Sequence, residues 1–178
     1  LTVSATGLNE KILKRNGIPY MVATVNRNDH ASYYPGATPL TLKLIFNKEG
    51  DILGAQGIGY KGVDKRIDII ATAIKGNLKV WDLQELEVAY APPYNSAKDP
   101  VNIVGYTAEN MINGEIETFR YFEIDELSKD INNQFLDVRT KMENRLGTIK
   151  NSINIDVNEL RYNLDSLNKD KTYLVFCQ

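Results

Sequence analysis

Residues 40–46 read LTLKLIF, and this alternation constrains the fold more than any other stretch of the chain. Leu40, Leu42, Leu44 and Phe46 fall on one side, Thr41 and Lys43 on the other. Successive side chains of an extended backbone point to opposite faces, so the run predicts a strand with one buried face. NKEGD follows, with Gly50 at the position where a hairpin turn needs positive φ. ILGAQGIGY then returns as the partner strand, its glycines permitting close backbone approach. An antiparallel pair of this kind must lay its apolar face on something. The next segment supplies a partner, because Val63, Ile67, Ile70, Ala71, Ile74 and Leu78 recur at helical spacing until Gly76 and Asn77 end the run.

The remaining elements follow from the same patterns. Residues 18–25 (IPYMVATV) are β-rich and lead through a polar turn to the tight YYPG corner. Asp82 is placed as the N-cap of a short helical turn, DLQEL. VAYAPPYNSAKDP is a loop, because the adjacent prolines Pro92 and Pro93 preclude helix and interior strand. Pro100 fits the first turn of a second long helix, with Val101, Val104, Ala108 and Met111 on one face and Gly114 past its end. Beyond Gly114 the text turns charged and broken, as in a linker, with a short strand expected at RYFEI. FLDVR is a compact apolar strand. GTIKNSINIDVNELRYNLDSL reads as loop, short strand and then a helix capped by Asp156, with Leu160 and Leu164 on a common face; KDKTYLVF closes as a further strand. Strand, helix and strand at this length predict a parallel βαβ element. The expected fold class is therefore α+β: an antiparallel sheet with helices packed on it over residues 1–115, then a partial α/β segment over residues 116–178.

Composition narrows the function. The 178 residues are 43% hydrophobic and 25% charged with net charge −2, the profile of a soluble globular protein. Such a balance supplies no basic field for nucleic acid. No stretch approaches the roughly 20 apolar residues of a membrane span, and a cytoplasmic location is expected. One cysteine, Cys177, excludes an internal disulfide and a cysteine-based zinc cage, and one histidine, His30, leaves little for a metal site or a Ser-His-Asp site. Leu1 in place of a methionine, with LTVSATGLNE in mid-course, and the stop at YLVFCQ lead to the expectation of a fragment cut at both ends.

Three strings carry a family resemblance: SYYPGATPLTLKLIF, GVDKRIDIIATAI and VAYAPPYNSAKDPVNIVGYTAEN. They resemble the C-terminal interface domain of the pyridine nucleotide–disulfide oxidoreductases, in the CoA-disulfide reductase and NADH oxidase branch. LTVSATGLNEKILKR looks like the segment leading into that domain from the flavin domain, so the resemblance covers residues 1–114. FLDVRT, GTIKNSINIDVNEL and YLVFCQ resemble, in order and spacing, a rhodanese domain; Thr148 stands where that family has a histidine and Ser152 where it has a small residue. Together these resemblances imply part of a CoA-disulfide (or CoA-persulfide or polysulfide) reductase with a rhodanese fusion. They imply FAD and NAD(P)H in the full-length parent, CoA disulfide or persulfide as its substrate, and a homodimer through residues 1–115. They further imply that Tyr90 and one of Tyr33 and Tyr34 reach across the dimer to hydrogen-bond substrate sulfur or a reacting thiolate. Tyr94, Lys98 and Tyr106 become candidates for lining the substrate cleft, and Cys177 the persulfide-carrying cysteine.

The same residues also admit plainer readings. A tyrosine is more often a core or interface aromatic whose hydroxyl finds a carbonyl. His30, in NRNDHASYY, is expected exposed on a loop, and Lys61, Lys65 and Arg66 are expected on a solvated or salt-bridged helix face. Asp137 and Arg139 suit an internal ion pair better than chemistry. A lone cysteine is by default a buried, inert thiol, and only the order of the rhodanese-like motifs reverses that for Cys177. No G-x-G-x-x-G follows a strand; the nearest pattern, Gly54-x-x-Gly57-x-Gly59, lies within the hairpin. The fragment is thus expected to bind no FAD, to hold no metal and to be inactive alone, its rhodanese-like part completed by residues further on or by another chain. The alternative is a non-catalytic dimerising module that has no flavin domain.

Overall fold

LTLKLIF is an inner strand of a four-stranded antiparallel sheet. In the computed structural model, which describes residues 1–177, strands β1 (Thr2–Gly7), β2 (Met21–Asn28), β3 (Pro39–Phe46) and β4 (Ile52–Gly59) lie in the order β1-β4-β3-β2. The register pairs Leu42 with Gly57 and Leu44 with Ala55, and shifts at a bulge between Ile45 and Phe46. Gly50 turns the β3–β4 hairpin at φ 79°. Two helices cover the inner face, α2 (Val63–Lys75) against β1 and β4 and α4 (Pro100–Ile112) against β2 and β3. Leu40, Leu42, Leu44 and Phe46 of the sheet pack there with Val63, Ile67, Ile70 and Ala73 of α2 and Val101, Val104 and Ala108 of α4. The buried face of α2 is rotated slightly from the apolar count, with Ala73 in the core instead of Ala71.

The opposite face is not bare. Helix α1 (Glu10–Arg15), absent from the sequence reading, lays Leu13 on Val22 and Ile45, which explains why Ile45 is buried out of the strand's alternation. Asn9 caps α1 by accepting from the Ile12 amide, and Glu10 pairs with Lys43 on the sheet. The segment read as a lead-in therefore folds as β1 and α1, part of the domain itself. The strand expected over residues 18–25 begins later, at Met21, and runs to Asn28. Asp82 is the first residue of the short helix α3 (Asp82–Glu85), and not its N-cap; its carboxylate accepts from the Lys79 amide at 2.6 Å.

Clustering of contacts divides the chain after Glu117. In the second unit, strands β5 (Asn133–Asp137), β6 (Ile153–Asn154) and β7 (Thr172–Phe176) form a parallel sheet in the order β6-β5-β7. Helix α7 (Val157–Asn163), capped by Asp156, lies between β6 and β7 in the chain. The expected strand at RYFEI is instead a 3-10 turn (Tyr121–Glu123) running into helix α5 (Ile124–Leu127), because the Glu123 carboxylate accepts from the Arg120 amide and closes a capping box. Helix α6 (Lys141–Arg145), also unforeseen, starts at a second capping box between Thr140 and Glu143. The described residues thus carry the α+β fold expected: an antiparallel sheet under helices, followed by a parallel α/β segment.

Candidate functional site

Two loops at one end of the antiparallel sheet carry the tyrosines. The first, residues 29–38, connects β2 to β3; the second, residues 88–99, precedes α4. The Tyr33 and Tyr90 hydroxyls meet at 3.1 Å, although 57 positions separate them. Both side chains are exposed, Tyr33 at 74% and Tyr90 at 50%. The hydrogen bond to Tyr90 pushes the Tyr33 phenol above its ordinary value. Of the YYPG pair it is thus Tyr33 that joins Tyr90, while Tyr34 turns edge-on to the His30 ring at 5.9 Å. Tyr94 is exposed, and Lys98 sits over the Tyr106 ring at 5.6 Å. Lys98 also lines a polar hollow with Asn95, Ser96 and Asp99.

Behind the tyrosines lies a buried polar group: the helix face expected to be solvated or salt-bridged is, at Arg66, salt-bridged and out of solvent. Arg66 is 1% exposed. Its Nη2 approaches Asp99 Oδ2 at 3.0 Å and donates to the Asp29 carbonyl at 2.7 Å and to Asn95 Oδ1 at 3.1 Å. His30 is likewise buried, at 5% exposure, and is not a solvent-facing loop residue. Its Nδ1 lies 2.7 Å from Asp29 Oδ2, and its Nε2 has no hydrogen-bond partner among the described residues. Burial works against the Asp29 carboxylate, but bonds from the Thr38 amide, the His30 ring and the Thr38 hydroxyl outweigh it and hold the group below the ordinary carboxylate value. Arg66 was legible in principle. It lies three positions after Val63 and four before Ile70, squarely on the apolar face.

The glycine cluster of β4 does not fit a dinucleotide. A Cβ at Gly57 would meet Val63 Cγ1 at 2.9 Å, and one at Gly59 would meet the Pro39 carbonyl oxygen at 3.0 Å. These glycines serve strand and helix packing and leave no phosphate cradle. Among the described residues no cluster of His, Cys, Asp and Glu could hold a metal ion.

In the second unit the chemistry gathers at the C-terminal ends of the parallel strands, the usual location of sites in such sheets. Asp137 closes β5 fully buried. It takes Arg139 in a fork, Nε to Oδ1 at 3.0 Å and Nη2 to Oδ2 at 2.8 Å, and also accepts from Asn144 and Thr148. The Arg139 guanidinium, followed by the other hydrogen bonds, holds the carboxyl far below the usual range despite burial. Thr148, which takes the place of the resembled family's histidine, bonds Asp137 at 2.9 Å and Ser152 at 2.9 Å. Arg139 also stacks on the Phe176 ring at 5.8 Å, one residue before Cys177. The Cys177 thiol is exposed, which overturns the default expectation of a buried one.

A helix-covered antiparallel sheet followed by a short parallel sheet is the architecture of a reductase dimerisation domain with a rhodanese-like unit after it. Residues 1–101 match the family described as pyridine nucleotide-disulphide oxidoreductase, dimerisation domain, and residues 123–178 match the rhodanese-like domain. The chain belongs to the pyridine nucleotide-disulphide oxidoreductases through that dimerisation domain. It is 41% identical over 109 residues to a coenzyme A disulfide reductase of Staphylococcus epidermidis, covering 61% of this chain and 24% of that protein. The structure of reduced Bacillus anthracis CoADR-RHD superposes with TM-score 0.95 at 55% identity, over 99% of this chain and 32% of that one. A NAD-dependent persulfide reductase from A. fulgidus follows with TM-score 0.88 at 38% identity, over 98% of this chain and 31% of that one. The chain thus spans about a quarter to a third of the length of these relatives.

Proposed function

We propose that this chain is the subunit-pairing part, with a rhodanese-like unit attached, of a cytoplasmic NAD(P)H-dependent flavoprotein that reduces CoA disulfides, CoA persulfides or polysulfides. Residues 1–115 pair two subunits, and residues 116–178 form the rhodanese-like part. FAD and NAD(P)H belong to the whole enzyme, and the 178 residues alone transfer no hydride. What the chain contributes is a pair of neutral phenols, Tyr33 and Tyr90, reaching into the partner subunit's site. Phenols suit that task because they donate at neutral pH and do not compete as nucleophiles. They donate to a sulfur that gains negative charge as the S–S bond of the substrate opens, stabilising the departing thiolate. Tyr34, Tyr94, Lys98 and Tyr106 line the approach. Cys177, exposed beside the Asp137–Arg139 pair, carries sulfane sulfur as a persulfide.

The observation that carries this proposal is the 3.1 Å contact between two exposed hydroxyls brought together from separate loops. The test is the natural full-length enzyme assayed with CoA disulfide. Tyr90→Phe should lower kcat by about 10²-fold, in line with loss of one donor to a developing anion, with KM little changed. A Tyr33→Phe/Tyr90→Phe enzyme that kept wild-type kcat and KM would overturn it.

A further inference from the structure

We infer that Arg66 is the positioning residue of the tyrosine pair: its buried guanidinium ties the two tyrosine-bearing loops to each other and to α2, and so sets the distance between the Tyr33 and Tyr90 hydroxyls. The inference rests on the role proposed above for those hydroxyls. The donors of Arg66 reach separate parts of the chain: Nη1 bonds the Gly62 carbonyl at 3.1 Å at the start of its own helix, and Nη2 bonds the Asp29 carbonyl on the first loop. Nη2 also bonds Asn95 Oδ1 on the second loop, while Nε reaches Asp99 Oδ2 at 3.1 Å at that loop's end. Each anchor in turn closes its own loop. Asp29 spans the base of the first, its carboxylate accepting from the Thr38 amide at 2.5 Å and the Thr38 hydroxyl at 3.0 Å. Asn95 closes the second around Tyr90, donating to the Ala89 carbonyl at 3.4 Å, and the Asn95 carbonyl accepts from the Ala31 amide of the first loop at 3.0 Å. Asp99 caps α4 by accepting from the Val101 amide at 2.8 Å, and so fixes where the second loop ends.

Physical chemistry makes arginine specific here. The guanidinium is a planar fork with donors at fixed angles, so four acceptors from three segments must take up one mutual geometry. A lysine ammonium presents its donors from a single point at the end of a flexible stem and cannot span Gly62, Asp29, Asn95 and Asp99 together. A buried charge pair is weak evidence for stability, because desolvation offsets the attraction; its better-attested use is to specify one arrangement. Loops that lacked this tie would keep the Ala31–Asn95 backbone bond but would hold the hydroxyls less tightly. A displacement of about 1 Å at a reacting centre costs up to about 10²-fold in rate.

The test compares Arg66→Lys, Asn95→Ala and Tyr33→Phe/Tyr90→Phe with the two combinations of each tie variant with the tyrosine double variant, all in the full-length enzyme with CoA disulfide. Arg66→Lys and Asn95→Ala should each lower kcat by about tenfold or more while KM stays near wild type. In the Tyr33→Phe/Tyr90→Phe background the same changes should cost nothing further in kcat, because there is no hydroxyl pair left to position. A purely structural role predicts the opposite, an equal loss in both backgrounds, and that result overturns the inference; so does wild-type kcat in both tie variants. If Arg66→Lys does not fold, Asn95→Ala decides alone, since it leaves the buried Arg66–Asp99 pair intact. If the tyrosine double variant itself has wild-type kcat, the functional proposal fails first. Its failure is therefore distinguishable from failure of the positioning role.

Discussion

Asp137 keeps its charge under full burial because five donor contacts replace water: two from the Arg139 side chain, one from its amide, and those of Asn144 and Thr148. Its folded value lies far below the usual carboxylate range, whereas the unfolded chain titrates near ~3.9. The folded state therefore binds fewer protons in acid than the unfolded one. The stabilisation is complete above about pH 4 and is lost as pH falls through the folded value. Asp137→Asn should cost about 1.5–3 kcal/mol at neutral pH and flatten the acid limb of a stability–pH curve measured by denaturant unfolding. A variant that retained the wild-type slope below about pH 4 would assign that limb to another carboxylate. Residue by residue, the sequence was most legible where chemistry was unusual, as in the tyrosines of YYPG and AYAPPY. It was least legible in the burial of polar side chains. His30 was expected exposed in its polar turn and Arg66 on a solvated or salt-bridged helix face; both are buried, because their partners, Asp99, Asn95 and Asp29, come from segments remote or adjacent in ways that a pattern count does not register.

Among the elements, α4 depends on how closely it approaches the segment before it. A Cβ at Gly105 would stand 2.9 Å from the Val80 carbonyl oxygen and 3.0 Å from Leu83 Cβ. At Gly76, past α2, the nearest atom is the Thr72 carbonyl oxygen at 3.4 Å, and φ is −81°. Alanine at either position reduces the freedom of the unfolded chain, but only at Gly105 must backbone move to admit it. Gly105→Ala should therefore destabilise by about 1–3 kcal/mol, overriding alanine's higher helix propensity, while Gly76→Ala should be neutral or stabilise by up to about 1 kcal/mol. Equal effects in urea unfolding would refute the close-approach account. The same contrast between local and tertiary signals explains which elements could be read. The β3–β4 hairpin, α2, α4 and the parallel strands carry their period in their own residues. TVSATG alternates only weakly, and its apolar residues Val3 and Ala5 face solvent while Ser4 and Thr6 are half-buried; β1 exists because β4 has a free edge that its backbone can pair, from Thr2 opposite Gly59 to Gly7 opposite Gly54. RYFEI has strand-like residues, yet a single carboxylate, Glu123 on the Arg120 amide, turns it helical.

At the scale of the whole molecule, the strands described in each of the two units pair only within that unit. The antiparallel ladder closes within residues 2–59 and the parallel one within residues 133–176. Between them, residues 113–118 form an exposed run that contains Glu115 and Glu117. Cleavage needs backbone that can leave its hydrogen bonds and enter a protease cleft, and exposed polar runs between units meet that need best. A glutamate-specific protease applied to the native chain should therefore cut first at Glu115 or Glu117, with both products resistant thereafter. Subunit pairing, as proposed, resides in residues 1–115, where the sheet and α2 and α4 form a single continuous core. After the cut, the larger product should sediment as a dimer and the smaller as a monomer. Separation of the products makes the outcome decisive, because pairing carried by the second unit would leave the larger product monomeric. A first cut inside either sheet would show instead that the chain does not behave as two separate compact units.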